Sequence, residues 1–209
     1  MRMRIRSLLT IVALLWGVVA QAQTSALLQA FTQELKEKNV HTSTIRSNFT
    51  QTRSMSILAN DVVKSGVFYF VQPDKMLLSF RDGDYIKMSE GWFETKTGGN
   101  ISKTNISSNP MLRSLNTTLS ACMVGDFEQL TRGFDVRVAK ETKEWVITMI
   151  PMRGKAISKV LHIELRFDRG DMSLNSMKLA EKSGDYTKYT FSNKSFNKPI
   201  EANLFNIVQ

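Results

Sequence analysis

The chain has 209 residues, 42% of them apolar types, with 28 basic and 19 acidic residues and a formal net charge of +9. That length and apolar content suffice for one substantial core and exclude a disordered chain. The single cysteine, Cys122, excludes an internal disulfide and a cysteine-rich zinc module. Beyond the N-terminal run, no apolar stretch approaches the roughly 18 to 20 residues a bilayer-spanning helix needs.

Arg2, Arg4 and Arg6 precede an uncharged apolar run from Leu8 to Ala20, and Ala20-Gln21-Ala22 supplies small residues for cleavage. Together these predict a secretory signal peptide over residues 1–22 and one mature domain over 23–209. No cysteine follows the apolar run, so the protein is expected to be free beyond the membrane and not itself lipid-anchored. Without residues 1–22 the chain keeps 25 basic and 19 acidic residues, a net +6. The basic residues are scattered, which argues against a nucleic-acid partner.

The first mature element is a helix over Ser25 to Lys38, with Thr24 or Ser25 as N-cap and Leu27, Leu28, Phe31 and Leu35 on one face. After a polar stretch to Ser47 the period changes to 2. Strands are predicted over Phe49 to Leu58 and through Gly66, Phe68 and Phe70. Past the Gln72-Pro73-Asp74-Lys75 turn, Met76, Leu78 and Phe80 continue the apolar face, followed by Tyr85 to Ser89 and Trp92 to Lys96. Gly98-Gly99 reads as a loose loop before a short edge strand, Ile101 to Asn105. A second amphipathic helix is predicted over Asn109 to Gly125. Asn109 is its N-cap and Pro110 its first position, with Met111, Leu112, Leu115, Leu119, Cys122 and Met123 on one side. A short helical turn over Asp126 to Thr131 follows.

Strands then resume through Phe134 to Val138, Trp145 to Met149 and Leu161 to Asp168, then Met172 to Glu181 and Tyr186 to Ser192, with a last segment reaching Phe205 and Ile207. About ten or eleven antiparallel strands joined by hairpins imply an α+β, mainly antiparallel protein with a strongly curved sheet or barrel. A two-layer sandwich would cover an apolar sheet face without helices. Two amphipathic helices instead suit an unclosed half-barrel, lying across its mouth as a lid.

Enzymatic constellations are sparse. His41 and His162 are the only histidines, no Gly-x-Ser-x-Gly elbow is present, and Gly154-Lys155 lacks the upstream glycine of a phosphate loop. Cys122 lies on an apolar helix face, where a buried inert thiol is expected. The sequence therefore predicts no enzyme, no catalytic residue, no metal and no cofactor.

Several motifs resemble the periplasmic LolA-like carriers, which take lipoproteins to the outer membrane. They are Ser47-Asn48-Phe49-Thr50-Gln51; Ser65 to Lys75, a glycine, an aromatic strand and a proline turn; Asp185 to Phe191; and Asn197-Lys198-Pro199-Ile200 followed by Leu204-Phe205. Their order covers essentially all of the mature chain. The resemblance implies an unclosed barrel of about 10–11 strands with a helical lid, a periplasmic location, and a monomer that shelters acyl chains. It implies three partners: acylated lipoproteins, an inner-membrane lipoprotein-releasing ABC transporter, and an outer-membrane receptor or the outer-membrane surface. Strand parity and the Pro73 turn place Phe49, Phe68, Phe70, Met76, Leu78 and Phe80 on the lipid-binding face. Leu27, Phe31, Met111, Leu112, Leu115 and Leu119 would be the lid residues that meet them.

Nine methionines in the mature chain suit a surface that repacks around flexible chains. Where the family commonly has an arginine before the turn proline, this chain has Gln72, an uncharged donor expected to latch the lid more weakly. A related carrier of another acylated or aryl lipid, or a lipid- or lipoprotein-sensing module, would share all of these features, because an apolar cavity does not record its cargo.

Overall fold

The computed structural model describes residues 26–109, 112, 113, 116, 133–152 and 159–208. A helix, α1, occupies residues 26–39. The strands are β1 (Thr44–Ser54), β2 (Val62–Val71), β3 (Lys75–Phe80), β4 (Tyr85–Ser89), β5 (Trp92–Thr97), β6 (Asn100–Asn105), β7 (Phe134–Lys140), β8 (Glu144–Pro151), β9 (Val160–Asp168), β10 (Leu174–Glu181) and β11 (Tyr186–Phe196). All eleven form one antiparallel sheet in the order β6-β5-β4-β3-β2-β1-β11-β10-β9-β8-β7. The first and last strands pair at its centre, and β6 and β7 remain edges. The result is the unclosed half-barrel with a helical lid that the alternation predicts.

Period-2 patterning explains why one face is dry. Ile45, Phe49, Phe68, Phe70, Met76, Leu78 and Phe80 share it on one half of the sheet. Trp145, Ile147, Met149, Ile163, Leu165 and Phe167 share it on the other. All of these are buried in a single hydrophobic cluster. The opposite face carries charges such as Glu164 and Arg166, which form an ion pair at 2.9 Å.

The structure corrects several expected boundaries. β1 begins at Thr44, inside the stretch expected to be irregular, because Ile45, Ser47 and Phe49 alternate inward and a serine hides the period. It also ends at Ser54. Ile57, expected on its apolar face, lies beyond the strand and is 89% exposed. Gly98-Gly99 is no loose loop: both residues have positive φ (57° and 88°), which makes the tight two-residue hairpin turn whose twist matches the flanking strands. β11 runs on to Phe196, and the last segment contains a 3₁₀ turn, Ala202–Phe205.

The first helix ends one residue later than expected, at Asn39. In the second, residues 112, 113 and 116 are helical, and the Leu112 N–H donates to Asn109 Oδ1 at 3.2 Å, so Asn109 is the N-cap the sequence predicts. The remainder of that segment, the Asp126 to Thr131 turn and the signal peptide lie outside the described residues.

Candidate functional site: a lidded apolar face

Register, not proximity in sequence, assembles the apolar face. Phe70 stands opposite Met76, Phe68 opposite Leu78, and Gly66 opposite Phe80, so the β2–β3 hairpin presents five large side chains to one side. Phe49 enters from β1 and meets Phe80 edge-on at 5.0 Å, while Phe68 meets Phe191 of β11 at 5.2 Å. Leu112 is buried in the same cluster. Leu27 is half-buried and packs against it. Met111, Leu115 and Leu119 lie outside the described residues.

The lid helix docks in a place the sequence alone does not assign. Phe31 is fully buried and makes edge contacts with Trp145 at 5.7 Å and Phe167 at 5.1 Å, which seats α1 over β8 and β9. Glu34 fastens it there. One carboxylate oxygen accepts from Trp145 Nε1 at 2.8 Å, and the other is 3.1 Å from Lys140 Nζ. Burial pushes the Glu34 carboxyl up, but the hydrogen bonds from Trp145 and Lys140 outweigh it and hold it below the ordinary 4.5.

A group lowered in the folded state stabilises docking above its ordinary value and loses that contribution as pH falls through the folded-state value. Acid is therefore expected to loosen α1 below about pH 4.5. In a titration with a dye that fluoresces on exposed apolar surface, the wild type should brighten in that range. Glu34→Gln should already be brighter at pH 7 and change less on acidification. Identical curves would show that the clasp does not hold the lid.

Past α1 the chain is tied to the barrel by Asn197. Its Oδ1 accepts from Ser43 N at 2.8 Å, and its Nδ2 donates to the His41 carbonyl at 2.9 Å. Gln72, the proposed latch, does reach a lid carbonyl: Nε2 stands 3.5 Å from the oxygen of Asn39, the last residue of α1. At that length the bond is at the outer limit and contributes little. The Glu34–Trp145–Lys140 clasp is the better geometry. Sequence reasoning missed it because its parts are more than a hundred residues apart, and only the pattern of a Glu on the helix and an indole on an inward strand hints at it.

Among the described residues, no group of three or more His, Cys, Asp or Glu is placed to hold a metal ion, and no helix is long and apolar enough to cross a membrane. An open sheet with a predominantly apolar inner face, roofed by a helix clasped at one side, is the build of a lidded binding protein. The family model described as outer membrane lipoprotein carrier protein LolA matches residues 99–208, more than half of the chain, and the chain belongs to that family.

No curated protein matches the sequence. An uncharacterized conserved protein from Thermus thermophilus superposes with a TM-score of 0.52 at 10% identity, covering 87% of this chain and 94% of its own. A structure of MucB gives 0.50 at 15% identity, over 90% of this chain and 63% of its own. A putative outer membrane lipoprotein-sorting protein domain from Vibrio parahaemolyticus gives 0.49 at 13%, over 88% and 97%. At these identities the likeness is one of fold.

Proposed function

We propose that this protein is a periplasmic carrier that takes up the acyl chains of lipoproteins and moves them from the inner to the outer membrane. The observation that carries the reading is the continuous apolar inner face under a lid, in a chain of the LolA family. The physical need is plain. Each buried methylene is worth about 0.8 kcal/mol, so a chain of roughly 16 carbons resists transfer to water by on the order of 12 kcal/mol. A carrier must offer comparable apolar surface and still release its load, which calls for lid states close in free energy. On this reading the donor is an inner-membrane lipoprotein-releasing ABC transporter, and the acceptor is an outer-membrane receptor or the membrane surface. The protein acts as a monomer and catalyses no reaction.

The test is binding of a triacylated cysteinyl lipopeptide to the purified mature chain. The acylated peptide should bind and the same peptide without acyl groups should not. Shortening one chain from 16 to 12 carbons should weaken binding by up to about two orders of magnitude, the worth of four methylenes. Equal binding of acylated and unacylated peptide would end the proposal.

A further inference from the structure

The inner face carries a polar spot that a break in strand register creates. Between Arg46 and Asn48 the β1–β11 register slips: Arg46 faces Ser195 and Asn48 faces Ser192, so Asn193 and Lys194 together oppose Ser47. Asn193 takes a positive φ of 51° to make this bulge. The extra residue reverses the parity of β11 and turns Lys194 inward, the re-aiming for which bulges are used beside functional sites. A second slip, between Leu174 and Ser176, sets Asn175 beside it.

Ser47, Lys194 and Ser173 line a narrow cleft whose walls are Ile45, Phe68 and Phe191. Its free interior is about 10 Å³, room for one water-sized group. Ser47 is only 2% exposed, yet its hydroxyl has no hydrogen-bond partner among the described residues. A buried hydroxyl in that state costs free energy until something fills its valence. The Lys194 ammonium donates to Ser173 Oγ at 2.7 Å and to Asn175 Oδ1, which leaves the third of its three protons uncommitted among the described residues.

Resting on the acyl-carrier reading, we infer that this cleft holds the carbonyl oxygen of an acyl ester, with Ser47 and Lys194 as its donors and the hydrocarbon chain running out along Phe68 and Phe191. An ester is preferred to a free fatty acid. Asp168, Asp171 and Glu144 lie within electrostatic reach of Lys194, and their negative charge opposes the entry of another anion. A neutral carbonyl accepts the two hydrogen bonds without that repulsion. Burial also pushes the Lys194 amine below its ordinary value, which further disfavours reliance on its charge alone.

The experiment uses three probes of equal chain length, methyl palmitate, palmitate and hexadecane, each displacing a fluorescent polyene lipid from the purified mature chain. The wild type should bind the ester more tightly than either of the others. Lys194→Met should weaken ester binding by on the order of tenfold and Ser47→Ala severalfold, with hexadecane unchanged, as expected for lost hydrogen bonds to a bound oxygen. Ser47→Ala removes an unsatisfied group, so its thermal midpoint should equal or exceed the wild type's, and it remains informative if Lys194→Met fails to fold.

Variants that bind the ester like wild type, while all three probes still bind, would overturn the carbonyl site and leave the carrier reading standing. A loss confined to palmitate would overturn it in favour of a carboxylate site. Failure of the wild type to bind any acyl probe would overturn both.

Discussion

Gly66→Ala is expected to cost at least the upper end of what overpacking a core usually costs, about 3 kcal/mol, and to leave little folded protein. A Cβ added at Gly66 would lie 2.0 Å from the carbonyl oxygen of Ser79 and 2.8 Å from Cε1 of Phe49. The first atom is backbone in the neighbouring strand β3, whose register with β2 runs unbroken from Gly66 opposite Phe80 to Val71 opposite Lys75, so it cannot step aside without breaking that pairing. The second belongs to a ring already wedged edge-on against Phe80. The glycine is thus the gap through which Phe49 reaches the inner face. Denaturant unfolding checks this, with Gly133→Ala as the control: nothing among the described residues lies within 4 Å of a Cβ there, and stability should hardly move. A Gly66→Ala protein with the wild-type midpoint would show that β1, β2 and β3 are not packed in this way.

That glycine also shows what a sequence can and cannot disclose. Alternation locates Phe68, Phe70, Met76, Leu78 and Phe80 because period-2 side chains must share a face, whatever the strand pairs with. Asn109 is legible as a cap because its partner is three residues away. Gly66, by contrast, is visible as a glycine in an aromatic strand, while the reason for it sits in Ser79 and Phe49, which only pairing brings near. The same holds for Lys194. A bulge has no local signature here beyond one asparagine, and without the slip at Asn193 simple parity would turn that lysine outward. Phe31 is readable as a lid residue, but its contacts with Trp145 and Phe167 depend on which half of the sheet α1 crosses. Local chemistry is readable, and long-range register is not.

The outer face carries a second device of the kind that register alone reveals. Glu94 of β5 is fully buried and pairs with Lys87 of β4 at 2.9 Å, because the C-terminal segment crosses that face and seals it. The Val208 N–H donates to Glu94 Oε2 at 2.7 Å, Lys87 Nζ donates to the Asn206 carbonyl, and Phe205 is buried, as is the outward-facing Leu77. Tyr85 completes the set, donating to Glu94 Oε1 at 2.9 Å, and its hydroxyl is pushed up to about 12 by burial and by that carboxylate. Burial pushes the Glu94 carboxyl up, but its bonds to Lys87, Val208 and Tyr85 win and hold it below the ordinary value, so the strap keeps its electrostatic support above about pH 4.5 and loses it on further acidification.

Glu94→Leu should therefore cost about 3–5 kcal/mol, since it strands the Lys87 ammonium in a closed site and frees the tail. Adding Lys87→Met to that variant should restore most of the loss, because an apolar pair of similar volume needs no solvation. The double-mutant cycle reads the coupling directly, and limited proteolysis of the last residues reports whether the strap has lifted. A single variant that loses under about 1 kcal/mol, or a double no more stable than the single, would mean that water reaches this pair and that the C-terminal segment does not seal the outer face.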